Sequence, residues 1–166
     1  PRLMDLALTG HITTPILNQR LSLTITRVFR TYACSYYACK VHLHRVAYKA
    51  LPLAPETEVA LSKIKELSKS IVQSSGQLSN SEETIEPEPL PASLIWPLMM
   101  WGAEEKDSHE REWIRHQINC IGRVATNASL SAQVLDEVQR RQDRSQMRID
   151  IRSVMHDIFD VGFAVM

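Results

Sequence analysis

PASLIWPLMMWGAEE, residues 91–105, is the stretch whose reading decides the fold. Leu94, Ile95, Trp96, Leu98, Met99, Met100 and Trp101 are interrupted only by Pro97. A helix that is apolar all round belongs in the middle of a protein. The run is too short for a membrane span, which needs about 20 apolar residues. Pro97 either kinks a helix begun near Ala92 or occupies the first turn of one begun at Trp96. Gly102 lets another backbone approach closely or helps end the packed segment. The expectation is an all-α fold: an irregular multi-helix bundle built around a buried helix at about 92–104. Trp96 is expected to be buried there and to hold several helices together.

Upstream of this stretch, residues 1–10 read as a short helix stopped by Gly10, and Thr13, Thr14 and Pro15 then break the chain. The longest helical candidate runs from about Asn18 to Leu51 with no internal glycine or proline. Ile25, Val28, Phe29, Tyr32, Tyr36, Cys39, Leu43, Val46 and Ala50 recur at three or four residues and are expected to form its buried stripe. Pro52 and Pro55 end it. A second helix is expected from Pro55 to about Ser74, with Glu56 and Glu58 at its positive end and Leu61, Ile64, Leu67 and Ile71 inward. Lys63, Lys65 and Lys69 lie largely away from that stripe and read as solvated. Residues 75–90 are Ser-, Glu- and Pro-rich with few apolar side chains, which predicts a flexible acidic surface loop. A sharper alternative is a regulatory loop phosphorylated at Ser79, Ser81 or Thr84.

Downstream, Asp107-x-x-Glu110 has the form of a capping box. It opens a helix with Ile114, Ile118 and Ile121 inward and Gly122 as its stop. Ser129 or Ser131 is expected to cap the next helix, with Leu130, Val134 and Val138 inward and Glu137 paired to Arg141. A last helix starts near Arg148 and turns Ile151, Val154, Met155, Ile158, Phe159 and Gly162 to one side. No segment alternates as a strand does, and no repeat of fixed period appears. Residues 1–166 therefore read as a single helical domain. The start at Pro1, without methionine, suggests a fragment of a larger protein.

Lys+Arg 19 balances Asp+Glu 19, so the chain lacks the electrostatic footprint of a nucleic-acid or anionic-lipid binder. No signal peptide or membrane span is expected. The three cysteines, Cys34, Cys39 and Cys120, cannot build a disulfide framework and suggest a reducing compartment. His42 and His44 are two apart on a helix and point in different directions. Cys39 and His42 stand at i,i+3, but no third and fourth ligand follow at a metal-binding spacing. His109 and His116 are two helical turns apart, roughly 10 Å, too far for one ion. The expected metal ligands on this chain are none. The chain has no Gly-x-Ser-x-Gly elbow and no phosphate or dinucleotide loop, so no catalytic or cofactor-binding residue is assigned. Glu104, Glu105 and Asp107 have acid/base chemistry but sit in a helix-to-helix turn, where carboxylates are usually solvated. Arg140, Arg141, Arg144, Arg148 and Arg152 form the densest basic run, read as solvated helix faces or, alternatively, a contact for an acidic protein. Met99, Met100 and Trp101 read as core, with a Met- and Trp-lined ligand pocket as the alternative.

The central stretch also carries a resemblance. Leu94, Trp96, Pro97, Leu98, Gly102, Ala103 and Glu104, followed by an acidic turn and Arg111 to Ile114, resemble the fungal-specific transcription factor domain. That domain is the helical regulatory region of fungal zinc binuclear-cluster regulators. YYACKVHLHRVA, residues 36–47, resembles the long helix upstream of it in the same family. The resemblance runs from about Thr26 to Met166. Two positions depart from the family pattern: Ile151 follows Asp150, and Gln139 stands where a tryptophan often follows Glu-Val. The resemblance implies that Leu94, Trp96, Pro97, Leu98, Gly102, Arg111 and Ile114 form the structural core of the motif. It implies a nuclear, non-enzymatic role in controlling transcription by RNA polymerase II. The partners would be other transcription regulators, the protein's own DNA-binding module or a small-molecule effector, with no nucleic acid or membrane touched by this chain. A zinc binuclear cluster needs six cysteines in close pairs, so zinc is expected only in an upstream module outside this sequence. The rival reading is a helical protein-interaction scaffold unrelated to transcription, with a small helical metalloenzyme a distant third.

Overall fold

The computed structural model describes residues 19–49, 51–79 and 89–160, and every regular element among them is helical. The helices are α1 (Gln19–Ala47), α2 (Pro55–Ser79), α3 (Ile95–Gly102), α4 (Ser108–Ile121), α5 (Ala128–Ser145) and α6 (Ile151–Phe159), with a single 3-10 turn at Ala92–Leu94 leading into α3. None is long and apolar enough to cross a membrane. The readings of residues 1–10, of most of the acidic loop and of Gly162 lie outside the described residues.

α3 sits where the sequence places the organising helix. It packs against α1, α2, α4 and α5. Leu98, Met99 and Met100 are fully buried and Trp101 is nearly so. Pro97 is the third residue of α3 and is buried. Its missing N–H falls among the first four, which have no partner inside a helix, so it introduces no break. A Cβ on Gly102 would stand 2.7 Å from Cδ2 of Leu135 and 3.3 Å from Cγ2 of Ile114, so the glycine is what lets α4 and α5 close on the end of α3.

α1 and α2 run antiparallel. Arg27 reaches Ser75 at one end, Cys34 lies against Ser68 in the middle, and His44 accepts the Ala54 N–H at the other. The stripe expected to be buried on α1 is largely its outer one. Tyr32 is 71% exposed and Leu43 66%, and Val28, Tyr36, Cys39 and Val46 are exposed too. The buried seam is Ala33, Cys34, Ala38 and Val41. Small side chains bring the α1 and α2 backbones close together, and packing at short range outweighs the size of the residues left outside. α1 also ends at Ala47, short of Leu51, and α2 continues to Ser79, past its expected end near Ser74.

The remaining helices follow their patterns with local corrections. Ile114, Ile118 and Ile121 on α4 are fully buried, as are Val134 and Val138 on α5, while Leu130 is half-buried. Asp107 caps α4, accepting from the His109 and Glu110 N–H groups at 2.8 and 3.0 Å. α5 is preceded by Asn127 rather than capped by Ser129 or Ser131, and the Ser131 hydroxyl bonds back to the Asn127 carbonyl instead. α6 begins at Ile151 behind Asp150, whose carboxylate accepts the Arg152 N–H at 2.9 Å. Val154 and Met155 are its buried pair; Ile151 and Phe159 are partly buried, and Ile158 stays exposed.

Candidate functional site

Arg45 is the side chain around which the polar interior is assembled. It projects from α1 and is 8% exposed. It is ion-paired to Glu104 and donates to the Ala103 carbonyl at 3.3 Å, to Oε1 of Gln142 at 3.1 Å and to the Ile149 carbonyl at 2.8 Å. Burial pulls its pKa down from the usual arginine value, and Glu104 opposes that. Arg148 approaches the other oxygen of Glu104 at 3.1 Å and donates to the Leu51 carbonyl at 2.7 Å. Gln142 donates to the Ala103 carbonyl at 2.7 Å and accepts the Ile149 N–H at 3.1 Å. Together these groups tie α1, the end of α3, α5 and the α5–α6 turn. Glu104 is therefore not a solvated turn carboxylate. Its side chain is 8% exposed because two guanidinium groups replace the water it would otherwise hold.

A second set of polar contacts fixes the α3–α4 turn. The Trp101 indole donates to Glu105 at 2.8 Å, and Glu105 accepts the Lys106 and Asp107 N–H groups at 2.9 and 3.0 Å. Burial works against the Glu105 charge, but these donors win and hold its carboxyl below the usual range. Arg111 donates to the Glu105 carbonyl at 2.7 Å and forks onto both oxygens of Asp143 at 2.7 and 2.9 Å. Glu110 accepts from Lys65 and Lys69 at 2.8 Å each. The two lysines also stand 5.6 and 6.0 Å from the Trp101 ring centre, as cations over an aromatic face do.

Of the motif residues, Leu94, Leu98 and Ile114 are fully buried, Pro97 and Gly102 are buried, and Arg111 is half-buried. Trp96 departs from its expectation. It is only partly buried, because its position on α3 faces the gap between α1 and α6 rather than the bundle centre. There its ring meets His42 edge-on, with centroids 5.0 Å apart.

That gap is a cavity of about 280 Å³. Its apolar walls are Trp96, Val46, Ile151 and Met155, and its charged lining is Arg45, Lys49, Arg148, Asp150 and Arg152, with His42 and His156. Burial, then Arg152 and Arg45, hold the His42 imidazole below its ordinary pKa, with Asp150 opposing them. A second, larger cavity of about 660 Å³ opens beside Glu104, and two of its arginines are paired, Arg111 with Asp143 and Arg148 with Glu104. The methionine and tryptophan that line the first cavity are Met155 and Trp96; Met99 and Met100 are sealed in the core. Sequence reasoning missed Arg45, Gln142 and His42 as a set.

The other candidates fall apart in space. Arg140 and Arg141 share Glu137, Arg141 also reaches Asp157, Arg148 turns inward, and Arg152 joins the cavity. Cys34 is buried in the α1–α2 seam, Cys39 is exposed, and Cys120 lies 3.5 Å from Nε2 of His116. Among the described residues no three His, Cys, Asp or Glu side chains stand together as metal ligands. The sequence has three cysteines, short of the six that a zinc binuclear cluster takes. The family model of the fungal specific transcription factor domain matches residues 4–164, and the chain belongs to that family. No curated protein and no solved structure matches it.

Proposed function

We propose that this chain is the regulatory, non-DNA-reading domain of a fungal zinc-cluster transcription factor. It acts in the nucleus on transcription by RNA polymerase II, through intramolecular, effector or protein contacts. Family membership across residues 4–164 carries the reading. The charge distribution supports its division of labour. The balanced charge, and the pairing of Arg111, Arg115, Arg140, Arg141 and Arg148 with carboxylates, leave little for the phosphate-driven attraction behind nucleic-acid affinity. DNA reading and zinc are assigned to a separate module, which serves as one partner; other transcription regulators are the second kind. No catalytic role, membrane contact or nucleic-acid contact is assigned to this chain.

The test is a fusion of this chain to a heterologous DNA-binding module on a reporter, beside a gel-shift of the chain alone. A change in reporter output with no specific shift is the expected result. A second reading, a helical interaction scaffold outside transcription, draws on the exposed side chains of α1, from Val28 and Tyr32 to Leu43 and Val46. A silent fusion would move the assignment there, and a specific shift by this chain alone would overturn the division of labour.

A further inference from the structure

The cavity between α1, α3 and α6 has an excess of positive charge over an apolar interior. Arg45 and Arg148 share a single carboxylate, Glu104. Lys49 holds Asp150 at 3.1 Å. The Arg152 guanidinium, at the mouth, makes no hydrogen bond or ion pair among the described residues. Trp96, Met155, Ile151 and Val46 line the rest.

Each feature excludes a class of occupant. An organic cation would meet four cationic side chains and a carboxylate already engaged by Lys49 and by the Arg152 N–H. A neutral apolar molecule would desolvate Arg152 without pairing it. At about 280 Å³ the space falls at the small end of ligand sites, too small for a nucleotide. A planar carboxylate fits the fork of a guanidinium, and an apolar body fits against an indole and a thioether.

We propose that this cavity binds a small amphipathic carboxylate, with the acid group on Arg152 and the apolar body between Trp96 and Met155. As an effector site it rests on the regulatory reading above; as an anion site it rests on its own side chains.

The test uses the whole chain and three probes of one shape: 3-phenylpropionate, 3-phenylpropan-1-ol and 3-phenylpropylamine. Binding is measured by calorimetry and by the shift in thermal midpoint. The acid is expected to bind, the alcohol at least about tenfold more weakly, and the amine not detectably. Arg152→Gln should weaken the acid about tenfold, and Arg144→Gln, on the same basic run but outside the cavity, should leave it unchanged. Val46→Phe, at a half-exposed position on the wall, should abolish binding by filling the space, with circular dichroism showing each variant folded. Equal binding of acid and alcohol, equal effects of the two arginine variants, or no binding of the acid up to its solubility would each overturn the site. The reporter fusion separates the two claims. A silent fusion of a chain that binds the acid leaves the site standing and removes the regulatory reading. An active fusion of a chain that does not bind it removes the site alone.

Discussion

Glu104 is one residue away from Glu105 and does a different job. It neutralises one buried and one partly buried guanidinium group, contributed from 59 residues upstream and 44 residues downstream, while Glu105 collects backbone and indole donors of its own turn. Removing its charge strands Arg45 in a site with little water. Glu104→Gln keeps the shape and should cost about 3–5 kcal/mol, the range for breaking one side of a buried pair. The urea midpoint checks this, and a variant within about 0.5 kcal/mol of the parent would place Glu104 in solvent. The cysteines make a second prediction at this scale. Burial in the α1–α2 seam pushes the Cys34 thiol up to about 11, against a weaker opposing bond from Ser68. Since the thiolate is the nucleophile, Cys34 should resist iodoacetamide at pH 8 in the folded chain, while the exposed Cys39 labels. Peptide mass mapping reads the order, and labelling of Cys34 at the rate of Cys39 would contradict the packing. None of this was legible in the sequence. A carboxylate in a turn is usually solvated, and only the long-range fold brings two arginines to this one.

Helix by helix, the sequence told more about where the elements lie than about which way they face. α4 and α5 are placed correctly because one apolar stripe stands against polar neighbours, as Ile114, Ile118 and Ile121 do, and α3 because it is apolar all round. α1 carries apolar side chains on two faces, and periodicity alone favours the larger ones. The face that is buried is the one whose alanines and cysteine admit α2. Ala38→Leu should therefore cost about 1–3 kcal/mol or more by overpacking. Leu43→Ser, though it removes a large apolar residue, should change stability by less than about 0.5 kcal/mol. Denaturation midpoints of the two variants decide between the faces, and the reverse order would restore the outer stripe as core. The same logic divides the two tryptophans of α3. Trp101 is 2% exposed, stacks at a tilt on Trp113 and donates to Glu105, so Trp101→Ala should cost about 3–5 kcal/mol. Trp96 lines the cavity wall and is only partly buried, so Trp96→Ala should cost less, about 1–2 kcal/mol. A larger loss at Trp96 than at Trp101 would mean that the bundle is organised from the cavity side.

Ion pairs link several helices of the bundle, and that arrangement predicts how it responds to acid. Side-chain bonds from Arg111 hold Asp143 below its ordinary value of 3.8, and bonds from Lys65 and Lys69 hold Glu110 below 4.5. A depressed carboxyl contributes stability that is fully present above the unfolded pKa. That stability is lost as the pH falls through the folded one, so these pairs fail only below the ordinary carboxylate range. His42 acts in a different window. Burial and the facing Arg152 and Arg45 guanidiniums outweigh Asp150, and the Trp96 ring covers its edge, so its folded pKa lies below 6.5. The unfolded chain then takes up the proton first. The neutral form favours folding above pH 6.5, and that preference declines as the pH falls from there toward the folded value. Two separate steps are expected in a plot of urea midpoint against pH: a shallow one beginning near 6.5 and a steeper one below about 4.5. His42→Asn should remove the first and keep the second. It would also shift the baseline by loosening the Trp96 contact, but a change of slope, not of height, is what identifies titration. A variant with the parent's slope between pH 7 and about 5.5 would assign that step to another histidine and leave His42 uninvolved in the acid response.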